Sequence, residues 1–209
     1  MNQVINCNKK TNPYIKQQCK EVSVEEGLAI AEKLFQILDK RGDGVGLAAN
    51  QVGINASVAV VKVREPLVLI NPKILSQSNQ INFYEGCLSY PKKGMHTKRY
   101  KDVVVSTAQS ESNWYFSGVE TNKEGKGSWE TQTSQYNDQQ RLLETVAIQH
   151  EIDHLNGVTI HDRQHKTTVT VEKKVGRNSL VTIKKGDAVK VLKYKKIDKF
   201  LSDGWSMEV

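Results

Sequence analysis

The 209-residue chain contains no run of about 18 apolar residues, which excludes a membrane-spanning helix. Its cysteines are an odd three, Cys7, Cys19 and Cys87, too few for a disulfide framework, so a reducing compartment is the default. The N-terminus, Met1-Asn2-Gln3-Val4-Ile5-Asn6-Cys7, lacks a basic start leading into an apolar stretch and lacks Arg/Ser-rich transit character. Export and organelle import are therefore not expected, and the chain reads as cytoplasmic, without membrane attachment. Internal repeats and low-complexity segments are absent too. What is present, 38% hydrophobic and 25% charged residues, suits a globular protein with a real core. At one domain per ~150 residues, the length allows one domain and a small appendage.

Charge divides the chain unevenly. Residues 1–164 carry 19 Lys/Arg against 18 Asp/Glu, whereas residues 165–209 carry 11 against 5. Nearly all of the net +7 thus sits on the last 45 residues. A basic tail on a neutral body fits an anionic partner, with RNA and the ribosome as the obvious candidates, and fits equally a solvated lysine-rich minidomain.

Periodicity gives the elements. Ser23-Val24-Glu25-Glu26 has the capping-box pattern, and Val24, Leu28, Ala31, Phe35 and Leu38 follow at helical spacing until Gly42 and Gly44. A helix over 24–40 is expected. Strands are expected at 57–63, 67–70, 81–84, 102–107 and 113–119, and the polar stretch 120–137 reads as a long loop or hairpin. A second helix is expected over 138–156, capped by Asp138, with Leu142, Leu143, Val146, Ala147 and His150 on its inner surface and Asn156-Gly157 as its stop. Short strands at 168–175, 179–184 and 188–194, a turn at Lys185-Gly186-Asp187 and a short helix near 196–202 complete the chain. The expected class is α+β: mixed or antiparallel strands packed around one central helix, an N-terminal helix, and a small basic β-rich appendage. The corresponding division is a body over 1–164 and an extension over 165–209.

On that central helix stands His150-Glu151-Ile152-Asp153-His154, an H-E-x-x-H pattern. Residues four apart share a helix face, so the two imidazoles can grip one cation. Glu151, rotated about 100° from His150, can reach a water on that cation without being a ligand. A catalytic centre of this kind takes three protein ligands and keeps one position open. His161 and His165 lie downstream but neither completes H-E-x-x-H-x-x-G-x-x-H. The other candidate is upstream, Cys87 in Glu85-Gly86-Cys87-Leu88-Ser89, although a lone cysteine is more often a buried structural thiol. A further segment, Gly44-Val45-Gly46-Leu47-Ala48-Ala49-Asn50-Gln51, lets a backbone approach a ligand closely and offers the neutral amide of Gln51. It is no phosphate loop, because no strand precedes the glycines and no Lys-Ser/Thr follows them.

Together the three segments resemble peptide deformylase, a family that carries G-x-G-x-A-A-x-Q, E-G-C-L/I-S and Q-H-E-x-D-H in this order. Here they stand at 44–51, 85–89 and 149–154, and the resemblance spans about 10–164. It implies Cys87, His150 and His154 as metal ligands, Glu151 as the acid/base residue, and Gln51 with the Leu88 backbone N–H as oxyanion stabilisers. It also implies that the Gly44-Val45-Gly46 segment binds substrate, the Gly46 backbone pairing with the peptide. The implied reaction is hydrolysis of the formyl group from N-formylmethionyl nascent peptides, releasing formate. The implied cofactor is one divalent ion, Fe²⁺ first, with zinc, nickel or cobalt as substitutes. The alternatives are an H-E-x-x-H metalloprotease, which needs a third His or Glu in place of Cys87, and an inactive metal-stabilised module, which needs a fourth ligand.

The chain departs from the family pattern in places. Gly94 occupies the position of a substrate-proximal arginine, while Arg99 falls where the family has a structural one, and is expected to pair with Glu85 behind the metal site. Arg163, after Asp162, echoes a core-closing Asp-Arg pair. The long polar stretch over 106–141 and the basic segment after 165 are similar to phage-encoded members.

Overall fold

In the computed structural model the chain separates into two compact units, residues 1–165 and 166–209. The structure describes residues 3–118, 137–164, 178, 180–201 and 203–207. The expected hairpin or loop at 120–137 and the strand at 168–175 fall almost wholly or wholly outside them.

Helix α1 (Val24–Arg41) forms where the periodicity places it. Ser23 Oγ accepts from the Glu26 N–H at 3.2 Å, and Gly42, at φ 71°, supplies the left-handed residue that ends the helix. Its buried stripe of Ile30, Ala31, Leu34 and Leu38 lies on a small antiparallel sheet of β1 (Gly46–Ala48), β2 (Val58–Lys62) and β3 (Pro66–Ile70), with Val52, Val58 and Val60 beneath it. Between β1 and β2 runs a 3-10 turn, Ala49–Val52.

A second antiparallel sheet holds β4 (Lys73–Glu85), β5 (Met95–Ser106) and β6 (Trp114–Ser117). Strands β4 and β5 are far longer than the expected 81–84 and 102–107. Residues 76–80 are polar and exposed, so they lack the alternation that marks a half-buried strand, and only cross-strand pairing reveals them.

Helix α2 (Asp138–Leu155) packs against both sheets. Its cap is Asn137 rather than Asp138: the Asn137 side chain accepts from the Gln140 N–H at 2.9 Å, and Gln140 reaches back at 3.1 Å. Nor does it show one inner surface. Every residue from Glu144 to Leu155 is buried, while Leu142 and Leu143 are only half-buried. A single apolar stripe would leave the other sides of the helix near solvent, and here the whole turn from His150 to His154 is inside. Ala147, Ile148, Ile152 and Leu155 join Ala59, Val61, Leu69, Val103 and Phe116 in one core.

In the second unit β7 (Leu180–Lys185) pairs antiparallel with β8 (Ala188–Lys193) and with β9 (Ser206–Met207). The turn at Gly186 forms as expected, and the short helix expected near 196–202 is α3 (Asp198–Leu201), preceded by a 3-10 turn (Tyr194–Lys196). Lys190 Nζ lies 4.9 Å from the ring centre of Phe200 and 4.8 Å from that of Trp205. The architecture is α+β with antiparallel sheets. Among the described residues no helix is long and apolar enough to cross a membrane.

Candidate metal centre

Helical spacing places His150 and His154 on one face of α2, where their Nε2 atoms approach to 3.1 Å. Cys87 follows the end of β4 and brings its Sγ to 3.2 Å from His154 Nε2. All three residues are buried, and their ligating atoms lie within 4.8 Å of one another. Among the described residues no other group of this kind exists. His161, the downstream candidate, sits instead at the surface with its ring edge-on to Tyr90, 4.8 Å between centres. His165 lies outside the described residues.

The donor set fits a cation. Glu85 Oε2 lies 3.2 Å from His150 Nδ1, and a carboxylate there fixes the proton on Nδ1, leaving the Nε2 lone pair facing the sulfur and the second imidazole. Two imidazole lone pairs and a thiol converging in a buried space repel unless a cation or protons lie between them. Burial lowers the His154 ring well below its ordinary value, which suits a neutral ligand. Burial acts on His150 in the same direction, but Cys87 and Glu85 outweigh it and hold that ring above its usual range. A cation at the centre competes for that proton.

Glu85 is itself locked. Arg99, 2% exposed, donates to its Oε1 from Nε (2.9 Å) and Nη2 (2.6 Å), and to Asp153 Oδ2 from Nη1 (2.5 Å). The expected Arg99–Glu85 contact is therefore present, with Asp153 as an additional partner. Burial pushes the Glu85 carboxyl up, yet His150 and Arg99 outweigh it and keep it at about 2. Arg163 completes the array by bonding both Asp153 oxygens, at 3.0 and 2.7 Å, while Asp162 pairs with Lys16 and Thr159. Sequence reasoning missed Asp153 and the Glu85–His150 contact. The glutamate two residues before Cys87 was the available signal.

Beside Cys87 and His150 lies a cavity of about 630 Å³ lined also by Gly44, Val45, Gly46, Gln51, Leu88 and Glu151, among others. Glu151 is 4% exposed, its Oε2 has no hydrogen-bond partner among the described residues, and burial pushes its carboxyl up to about 7. Gln51 is fixed by its carbonyl, since Oε1 accepts from the Ala48 N–H at 2.8 Å. That leaves Nε2 as a donor directed at Ser89 Oγ (3.3 Å) and Cys87 Sγ (3.8 Å). Neighbouring Asn50 ties the same turn to α2 by donating to the His154 carbonyl at 2.6 Å.

Strand β1 borders the cavity with one edge unpaired by any strand of its sheet. Lys62 N–H donates to the Val45 carbonyl and Ala48 N–H to Gln51, so antiparallel alternation turns the Gly46 N–H and C=O away from β2, toward that edge. Glycine there leaves room for Glu151, because a Cβ at 46 would lie 2.5 Å from Glu151 Oε1 and force that buried side chain to shift. The strand was hidden in the sequence: two glycines in three residues read as a turn.

Comparison with known proteins gives the chain a family. Residues 4–170 match the polypeptide deformylase family model. The chain is 33% identical over 181 residues to the peptide deformylase of Syntrophobacter fumaroxidans, spanning 81% of this chain and 91% of that one. It is 34% identical over 151 residues to peptide deformylase 2 of Vibrio vulnificus, covering 70% and 77%. Among solved structures, peptide deformylase from Thermotoga maritima superposes with a TM-score of 0.60 at 28% identity, covering 79% of this chain and 98% of that one. The enzyme from Synechococcus elongatus, solved in complex with actinonin, gives 0.57 at 32% identity over 74% and 75%. The chain belongs to the polypeptide deformylase family.

Proposed function

We propose that the protein is a metal-dependent hydrolase that removes the formyl group from N-formylmethionyl nascent peptides and releases formate. The observation that carries this is the convergence of Cys87, His150 and His154 beside an acid, Glu151, and an amide donor, Gln51, in a cavity bordered by an open strand edge. Cys87, His150 and His154 would hold one divalent ion, which when bound would lower the pKa of water from ~15.7 towards ~7 and so supply a nucleophile for an unreactive formamide.

The remaining steps belong to the chain's own side chains. Gly46 pairs with the peptide as an added strand through its outward N–H and C=O, with Val45 and Gly44 continuing that edge. Attack on the formyl carbon moves negative charge to its oxygen. Gln51 Nε2 and the Leu88 N–H donate to that oxygen, each such donor being worth ~3 kcal/mol or more. Glu151 takes the water proton at Oε2 and delivers it to the leaving amine nitrogen, a role suited by a carboxyl held at about 7. The C–N bond breaks, leaving formate and a free N-terminal amine.

A thiolate with two imidazoles suits both ferrous iron and zinc. We assign Fe²⁺, with Zn²⁺, Ni²⁺ or Co²⁺ able to substitute. Metal analysis after anaerobic purification tests this, and zinc alone with full activity would defeat it. The catalytic domain is 1–164 and the basic extension 165–209 contacts the ribosome or rRNA from the cytoplasm. Co-sedimentation with ribosomes should weaken with salt and fall on deleting 165–209. The departures after residue 106 fit a phage-encoded member. Turnover of formyl-Met peptides by metal-replete protein tests the activity, and Glu151→Ala should abolish it while leaving metal bound.

A further inference from the structure

The cavity mouth carries charge that the chemistry of deformylation does not use. The turn joining β4 to β5 places Lys92 and Lys93, both exposed, on its rim. That turn is anchored to the metal ligand itself: the Tyr90 N–H donates to the Cys87 carbonyl at 3.0 Å and the Lys93 N–H to the Tyr90 carbonyl at 3.3 Å. Asn8 holds its other side by donating to the Pro91 carbonyl at 3.3 Å. Lys92 adopts φ 64°, a left-handed backbone that glycine or asparagine takes more readily than lysine. A lysine kept in that conformation at a substrate cavity is a mark of use.

The neighbouring groups do not cancel these charges. Glu85 is paired with Arg99, and Glu151 is buried deeper in the cavity. Asp43, the exposed carboxylate on the same rim, is bound by Arg41 Nε and Nη2 at 2.8 Å each. Among the described residues neither lysine has an ion-pair partner. Tyr84, 62% exposed, stands beside them, and it can do so because residue 94 is glycine, a Cβ there falling on the phenol ring. The ring is also propped edge-on against His96, 5.2 Å between centres.

An extended peptide advances about 3.3 Å per residue, so one paired at Gly46 brings the residues just after its methionine past this rim. Resting on the deformylase reading above, we propose that Lys92 and Lys93 make the site selective for formylated peptides bearing an acidic side chain at the second or third residue. Tyr84 forms the apolar wall against which that part of the peptide lies.

The test uses metal-replete full-length protein and formyl-Met tetrapeptides, amidated at the C-terminus so that no terminal carboxylate intervenes. Asp or Glu at the second or third residue is compared with Asn or Gln, and with Lys. At low salt the acidic peptides should exceed their amides about three- to tenfold in kcat/KM, as expected for one or two exposed charge pairs. The gain should appear in KM rather than kcat and shrink at high salt. Lys92→Asn with Lys93→Asn, which tolerates the backbone at 92, should bring the ratio to about one, and Lys93→Glu should favour the Lys peptide. Charge-blind turnover by the wild type, or a preference that survives the double substitution, overturns the proposal. Failure to turn over any of the peptides would instead remove the deformylase reading, and the proposal with it.

Discussion

Arg99→Met should be among the most destabilising single substitutions in the first unit. Arg99 is a buried guanidinium shared by two buried carboxylates, with donor distances of 2.9 and 2.6 Å to Glu85 and 2.5 Å to Asp153. Asp153 keeps Arg163 after the loss, but among the described residues Glu85 keeps only the His150 ring. Removing one partner of a buried pair costs about 3–5 kcal/mol, because the remaining charge stays dehydrated. Such a loss is a large share of the 5–15 kcal/mol that typically separates folded from unfolded chains. With a urea slope of about 2 kcal/mol/M, the midpoint should fall by about 1.5–2.5 M. The assay is urea unfolding followed by far-UV circular dichroism on metal-replete protein, with Arg99→Lys beside it. Lysine restores the charge without the planar fork and should recover only part of the loss. A shift below about 0.5 M for Arg99→Met would refute the reasoning, since the carboxylates would then have no need of the guanidinium.

Three other outcomes are expected. Gly46→Ala should cost at least about 100-fold in kcat/KM for a formyl-Met peptide, because the new Cβ would meet Glu151 Oε1 at 2.5 Å and a displacement near 1 Å can cost that much; steady-state kinetics with far-UV circular dichroism separates this from misfolding. Gln51→Ala should lower kcat by about 10²–10³ with KM little changed, as removal of a transition-state donor does, and an effect confined to KM would assign Gln51 to ground-state binding. In Asp162, burial pushes the carboxyl up, but Lys16 and Thr159 outweigh it and hold it at about 2, below the ordinary 3.8. The stabilisation this gives is present above about pH 4 and is lost as pH falls through about 2. The side chain is 46% exposed, so Asp162→Asn should cost no more than ~1 kcal/mol at neutral pH, and the gap between the two proteins should narrow steadily in thermal unfolding as pH falls from about 4 towards 2.

The histidine pair was legible because its information is local: His150 and His154 are one helical turn apart. Cys87 lies far upstream and entered only through the likeness of Glu85-Gly86-Cys87-Leu88-Ser89 to a family motif. Helix α1 was legible through local information too, its cap and stripe lying within 18 residues. Non-local arrangements were not. The run 76–80 pairs with β5 while exposing polar side chains, so nothing in its own pattern signals a strand. Strand β1 is only three residues long and begins at a glycine whose purpose, room for Glu151, becomes visible only when α2 is in place. The complete burial of Glu144 through Leu155 escaped because Gln149, His150, Glu151, Asp153 and His154 are polar, and each is buried through a partner elsewhere in the chain or a place in the site. Asp153 stands at an unspecified position of the H-E-x-x-H pattern, which gives it no role. Its role emerges from Arg99 and Arg163, 54 and 10 residues away.

X-ray absorption at the zinc edge of the zinc-loaded protein addresses the metal centre most directly. One sulfur at ~2.3 Å and two imidazole nitrogens at ~2.0–2.1 Å, with a lighter scatterer completing the shell, are expected, and Cys87→Ser should remove the sulfur shell alone. A shell without sulfur in the wild type, or one unchanged by Cys87→Ser, would contradict the convergence of Cys87, His150 and His154 on a single ion.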